Sequence, residues 1–271
     1  MKQKQCLSCK EPLKGKYCYS CGERVVEPKD FSIKRALGDF FQALTFVDNK
    51  FLNSFWLLFR KPGFLSSEYI RGRRVLYMRP IGMFFIANIF YFLLPALNDF
   101  NPNLSAQLHY SPYQEFAQSL VNKKIEKNGL DLKTYQNVYD NKSEYYAKTI
   151  IFVNVPILAL FMYMLLFKKR PYYVEHLVYT IHLYAGFMFL FAFIPLIYNG
   201  ITMLLNVSIA EMIPQLLIIT IVLAFIYASA KNFYQKNWFK SILITAYTFV
   251  FWFVSLAIFK FILFMLTLAT T

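Results

Sequence analysis

The chain has 271 residues, 57% of them hydrophobic and 20% aromatic, with 16% charged and a net charge of +14. A soluble globular protein carries about 25% charged residues, so this balance argues against an ordinary soluble enzyme and for a membrane protein. The positive charge lies mostly in the first eighty residues and in the short loops on the same side of the apolar runs, and it forms no base-reading face on a recognisable module, which argues against nucleic acid as a partner.

All four Cys lie within the first twenty-one residues, as Cys6-Leu7-Ser8-Cys9 and Cys18-Tyr19-Ser20-Cys21-Gly22. Two Cys-x-x-Cys turns can close a tetrahedral shell of four thiolates with no open position, so 1–26 reads as a zinc ribbon with Cys6, Cys9, Cys18 and Cys21 as ligands. The zinc is structural, folding a segment too short for its own core. A rubredoxin-type iron site is the alternative metal. Two disulfides fit less well, since the charge pattern places this end in a reducing compartment. Gly22 relaxes the backbone after the last ligand, and Gly15 allows the spacer to turn. No secretory signal peptide is expected, because the first long apolar run follows Pro80.

Residues 27–79 form a basic juxtamembrane segment. One amphipathic helix is expected around Ile33, Leu37, Phe40, Phe41 and Leu44. A second carries Phe51, Leu52, Phe55, Trp56 and Phe59 on one face, and Pro62-Gly63 breaks it. Both read as helices lying on the cytoplasmic membrane surface; a soluble helical hairpin packing on itself is the alternative. Residues 60–80 then carry six Lys or Arg (Arg60, Lys61, Arg71, Arg73, Arg74 and Arg79) and one acid, Glu68. Such a basic stretch at the foot of an apolar run fixes its direction and suits an anionic lipid surface.

Five spans are predicted, at 80–97, 149–167, 174–197, 212–230 and 241–268. Pro80 suits the first helical position. The loop 98–147 holds five Lys, no Arg and six acids, a balance of −1. Within it Ser111-Pro112-Tyr113-Gln114 reads as a capping box, and Asn128-Gly129 as a helix stop. Lys168, Lys169 and Arg170 follow the second span, Asn199-Gly200 ends the third, and Lys231, Lys236 and Lys240 follow the fourth. The first eighty residues hold sixteen Lys or Arg and seven acids. This partition puts the N-terminus in the cytoplasm, the C-terminus outside and loop 98–147 outside.

Ionisable groups inside an apolar span are costly and therefore candidates for function. Glu175, Tyr179 and His182 fall on one stripe of the third span, together with Gly186. The stripe reads either as a proton or substrate relay or as helix-to-helix fastening, with Glu175 and His176 pairing with 168–170. Lys260, late in the fifth span, can snorkel towards the outer interface, where Glu211 is a plausible partner. The sequence contains no Gly-x-Ser-x-Gly, His-Glu-x-x-His or phosphate loop, and no Asp after Asp140. A membrane hydrolase or transferase therefore has no visible constellation, and the chain reads as non-enzymatic.

The cysteine pairs, the block Phe59-Arg60-Lys61-Pro62-Gly63 with Glu68-Tyr69-Ile70-Arg71-Gly72-Arg73-Arg74 and Tyr77-Met78-Arg79-Pro80, and the stretch Arg170 to His182 together resemble an uncharacterised bacterial membrane family. That resemblance implies an inner-membrane location and brings no activity with it. Five spans with an inside N-terminus are also similar in topology to Yip-type trafficking proteins, an analogy of topology only. The expected protein is an all-α integral membrane scaffold. Its zinc ribbon and basic segment dock a cytoplasmic protein partner or anionic lipid. The alternatives are a transporter of an ion, small molecule or lipid through the polar stripe, and, less well supported, a lipid-modifying enzyme.

Overall fold

A computed structural model describes residues 5, 11–12, 15, 17–20, 22, 49–71, 76–94, 100, 102–205 and 212–271. The chain divides into two compact units, Met1–Asn49 and Lys50–Thr271. In the first, Gln5 and Pro12 pair as an antiparallel bridge. Cys18 is buried there, and the Gly22 N–H donates to the Cys18 carbonyl at 2.8 Å with Gly22 in the left-handed region. Cys6, Cys9 and Cys21, and the helix expected around 33–44, lie outside the described residues.

The described residues of the second unit form helices joined by turns: α1 (Asn49–Arg60), α2 (Phe64–Ile70), α3 (Pro80–Leu93), α4 (Leu104–Tyr110), α5 (Gln114–Asn128), α6 (Leu132–Ile150), α7 (Asn154–Leu166), α8 (Tyr173–Leu205), α9 (Met212–Tyr234) and α10 (Trp238–Thr270). A 3-10 turn at Ile151–Val153 joins α6 to α7. Among the described residues, four helices are long and apolar enough to cross a membrane: Leu132–Leu166, Tyr173–Leu205, Pro214–Tyr234 and Trp238–Thr270. Helix α3 is apolar but has fourteen residues, which reach about 21 Å against a hydrocarbon core of about 30 Å. Pro80 stands at its first turn, as predicted.

Helix α8 is the axis of the bundle. Nearly every side chain from His176 to Phe189 is buried, because α2, α3, α7 and α9 all pack around it. It also runs further than predicted. Pro195 lies inside it and Asn199-Gly200 does not stop it. A glycine weakens a helix by only about 1 kcal/mol, and in apolar surroundings an unravelled end would expose unpaired backbone groups. Helix α10 likewise begins three residues before the predicted span, after the N-cap Asn237.

The described residues of the polar stretch 98–147 fold as three helices with their own small core. Leu104, Leu108, Ala117, Val121, Tyr135 and Tyr139 close on Phe264 and Leu268 of α10. Gly129 ends α5 in the left-handed conformation, as expected. The capping box at 111–114 does not form. Ser111 instead donates its hydroxyl to the Gln107 carbonyl, closing α4, and α5 starts at Gln114 after Tyr113. Pro112 forces this, since the residue before a proline is driven out of the helical region and the chain must turn. Asp131, which the sequence reading passed over, caps α6 by accepting the Thr134 N–H at 3.1 Å.

Candidate functional site: a buried hinge and its polar fastenings

The basic segment between α1 and α3 is a short helical hairpin set into the bundle. Helix α1 faces α8 and α9 through Phe55, which meets the Phe189 ring edge-on at 4.9 Å, and Phe59, 5.8 Å from Phe225. The predicted apolar face is thus divided: Phe51, Phe55 and Phe59 pack inward, while Leu52 and Trp56 stay exposed. The break at Pro62-Gly63 sits directly on α9. Asn232 Nδ2 donates to the Pro62 carbonyl at 2.8 Å. A Cβ on Gly63 would lie 2.4 Å from the Ser229 carbonyl oxygen, and Gly63 has φ +81°. Glycine is therefore required there for both conformation and space.

Helix α2 follows, wedged between α8 and α9, and buries Leu65, Ser66, Ser67 and Glu68 in succession. Four consecutive buried residues exceed what one amphipathic face allows, so the helix is enclosed on more than one side. Glu68 accepts from Arg71 at 3.3 Å. Ser66 Oγ lies 3.0 Å from His182 Nδ1, which also lies 3.1 Å from the Val178 carbonyl. A carbonyl can only accept, so Nδ1 carries the proton and donates. That tautomer leaves His182 Nε2 as an acceptor, and it has no hydrogen-bond partner among the described residues.

A second set of contacts ties the start of α8 to the end of α9. Arg170 donates to Glu175 at 2.7 Å and to the Phe233 carbonyl at 3.0 Å, and its guanidinium lies 4.2 Å from the centre of the Phe233 ring. His176 Nε2 donates to the Arg170 carbonyl at 3.0 Å, and Nδ1 accepts from the Tyr234 hydroxyl at 2.9 Å. The Tyr179 ring stacks on Phe233 at 4.9 Å. At Gly186 a Cβ would meet the Phe225 ring at 2.3 Å, so the missing side chain makes room for that ring.

The stripe predicted from Glu175 to Gly186 is therefore a real line of polar and small residues, and it is the seam between α8, α9 and α2. It brings together Tyr179 and, further along, His182. Glu175 faces Arg170 rather than His182. The sequence reading missed Ser66, Ser67 and Glu68 as buried groups, because nothing in Leu65-Ser66-Ser67-Glu68-Tyr69 distinguishes a solvated turn from an enclosed one. Arg60, Lys61, Arg71 and Arg79 are exposed, while Arg73, Arg74 and Glu211 lie outside the described residues. Lys260 borders a large cavity at the other end of the bundle. Among the described residues no group of three or more His, Cys, Asp or Glu side chains is placed to hold a metal.

Residues 48–92, which take in α1, α2 and all but the last residue of α3, match a family described as a protein of unknown function, DUF3667. No curated protein and no solved structure matches the chain.

Proposed function

We propose that the chain is a non-enzymatic scaffold of a bacterial inner membrane, with five spans, a cytoplasmic N-terminus and an outer C-terminus. Residues 1–26 form the ribbon, 27–79 the basic juxtamembrane segment and 80–271 the membrane domain with its outer loop at 98–147. Cys6, Cys9, Cys18 and Cys21 hold one structural zinc. The buried Cys18 and the left-handed Gly22 behind it fit that role. The ribbon and the exposed Arg60, Lys61, Arg71 and Arg79, with Arg73 and Arg74, dock a cytoplasmic protein partner and anionic lipid.

The observation that carries this reading is the engagement of the intramembrane polar groups within the protein. Glu175 is held by Arg170, His176 by Arg170 and Tyr234, and His182 by Ser66. These contacts fasten the basic hinge to the helices, which is what a docking platform needs. The transporter reading keeps its support in two groups of the stripe without a hydrogen-bond partner among the described residues, His182 Nε2 and the Tyr179 hydroxyl. The two readings separate on paired variants of the intact protein. Under the scaffold reading, Cys9→Ser with Cys18→Ser abolishes in-cell crosslinking of a partner and removes bound zinc, while Glu175→Gln with His182→Gln preserves the crosslink. The opposite pattern would replace the scaffold with a permeation pathway.

A further inference from the structure

Helix α1 meets the bundle at mid-depth rather than at its end. The Phe55 ring lies 4.9 Å from Phe189 and 6.2 Å from Phe193, and the Phe59 ring lies 6.3 Å from Phe189 and 5.8 Å from Phe225. Phe189 is the seventeenth of the thirty-three residues of α8. Phe225 is the twelfth of the twenty-one in the apolar stretch Pro214–Tyr234. Both are therefore central in helices long and apolar enough to cross a membrane. Phe90 of α3 meets the same two α8 rings, at 5.9 and 5.7 Å, so α1 and α3 reach the same level. The other end of α1 is rooted at the hinge, where Pro62 and Gly63 rest on α9. The Ser54 hydroxyl accepts the Met78 N–H at 2.9 Å, which ties α1 to the foot of α3.

The composition of α1 fits that depth. Its charges stand near its two ends, Lys50 and Arg60, with nine uncharged residues between them, about 14 Å of helix. A helix adsorbed on a membrane surface turns a strongly polar, charged face to water. Here the face turned away from the bundle carries Leu52 and Trp56, 54% and 60% exposed, and Asn53 is the one exposed polar side chain between the two charges. Phe55, Leu58 and Phe59 face inward. A helix apolar on both faces belongs in an apolar medium. The neighbouring helices show the same character at this level: Ile89 and Leu93 of α3, beside Phe90, and Ile197 of α8, one turn beyond Phe193, are exposed too. We propose, on the reading of 80–271 as a membrane domain, that α1 is an intramembrane helix rooted at the basic hinge, whose Leu52 and Trp56 contact the acyl chains of the bilayer. Arg60 and Lys61 then lie among the head groups, and Trp56, one turn inward, lies in hydrocarbon. Lys50 is accommodated as other intramembrane cations are, by its long stem and by local thinning of the bilayer. Residues 49–60 thus meet lipid by insertion and not by adsorption.

Bromine quenching of tryptophan fluorescence in nanodiscs tests the depth of α1 in the intact chain. The chain has three tryptophans. Trp238, 65% exposed at the start of α10, is the shallow reference. Trp56→Phe, Trp238→Phe and the double variant alter exposed positions only and leave the buried Trp252 in place, so the double variant supplies its background. Each protein is placed in phosphatidylcholine brominated on the acyl chain either close to the ester or beyond mid-chain. The deep bromine should quench Trp56 more than the shallow one, a deep-to-shallow ratio above one, while Trp238 should give a ratio below one. A ratio below one for Trp56 as well would place α1 on the membrane surface and overturn the proposal. So would quenching of Trp238 with no quenching of Trp56 by either lipid, which would mean that protein, from a second copy or from elsewhere in this chain, covers Leu52 and Trp56. If neither tryptophan is quenched, the membrane-domain reading fails and the proposal with it.

Discussion

Gly63→Ala tests the hinge most directly. The substitution acts twice at one atom. Its φ of +81° puts any L-residue in the left-handed region, which costs roughly 1–2 kcal/mol. The added methyl would lie 2.4 Å from the Ser229 carbonyl oxygen and 3.2 Å from the Phe233 backbone nitrogen. Both are atoms of the α9 backbone, so no flexible side chain can swing away, and overpacking of this kind adds about 1–3 kcal/mol. The expected loss is about 2–5 kcal/mol. Gly129 supplies the internal control, since it has φ +63° with open space around its would-be Cβ. Gly129→Ala should therefore lose only the conformational part, about 1–2 kcal/mol. Both variants can be unfolded in mixed detergent micelles and followed by far-ultraviolet circular dichroism, with tryptic cleavage after Arg60 reporting the hinge. Gly63→Ala should be the weaker protein and should open the hinge to cleavage. If it is no weaker than Gly129→Ala, the hairpin is not seated on α9 and the enclosed-hinge argument fails.

Three further outcomes are expected. Arg170→Gln and Glu175→Gln should each weaken the protein by about 2 kcal/mol, because each strands a half-buried charge, and their double-mutant cycle should return a coupling of about 0.5–3 kcal/mol. Additive losses would mean the pair is not formed. Ser66→Ala should lower stability by only about 0.6–1.7 kcal/mol, the span measured for hydrogen bonds between membrane helices; an unchanged unfolding curve would remove Ser66 from the fastening. Hydrogen bonds from the Thr134 side chain and backbone hold the Asp131 carboxyl below its ordinary range. Its stabilisation is thus fully present above the unfolded-state value and disappears as pH falls through the lower folded-state value. Amide protection at the start of α6, taken relative to the intrinsic exchange rate at each pH, should therefore fall below about pH 4. Asp131→Asn should flatten that dependence, and an unchanged profile in the variant would rule the cap out as its origin.

The apolar framework was legible because it rests on run length and charge partition, which need no tertiary information. Pro80, the break at Pro62-Gly63 and the stop at Gly129 were legible for a local reason, since proline and glycine act through their own backbones. The extent of α8 was not. Asn199-Gly200 is a turn signal in water, and its weight changes where an unpaired backbone has no solvent. The capping box failed for the opposite reason: Ser111 had two local partners, and the one behind it in α4 won. The enclosure of Ser66 and Glu68 had no signature in sequence, because it depends on α2 being wedged by helices more than a hundred residues further along the chain.

The same distinction decides what the polar stripe means. A relay from Glu175 to His182 has to bridge seven residues, about 10 Å along the helix axis. The side chain between them is Tyr179, whose ring stacks on Phe233 and lies 5.1 Å from Tyr234. Both ends of the supposed path face away from each other: Glu175 accepts from Arg170 at the start of α8, and His182 donates from Nδ1 towards Val178 and Ser66. Spacing on a helix identifies which residues share a face and is silent on what covers that face. Here the cover is α9 and the inserted α2, so groups that would be carriers beside water serve as links beside protein. The two histidines show the contrast within one helix. His176 has both nitrogens matched, one to a carbonyl and one to a hydroxyl, and contributes only rigidity. His182 keeps one nitrogen unmatched among the described residues, as does the Tyr179 hydroxyl, so any permeation chemistry in this seam would have to use one of these two groups, and Ser66→Ala with His182→Gln is the pair that would expose the part of the histidine.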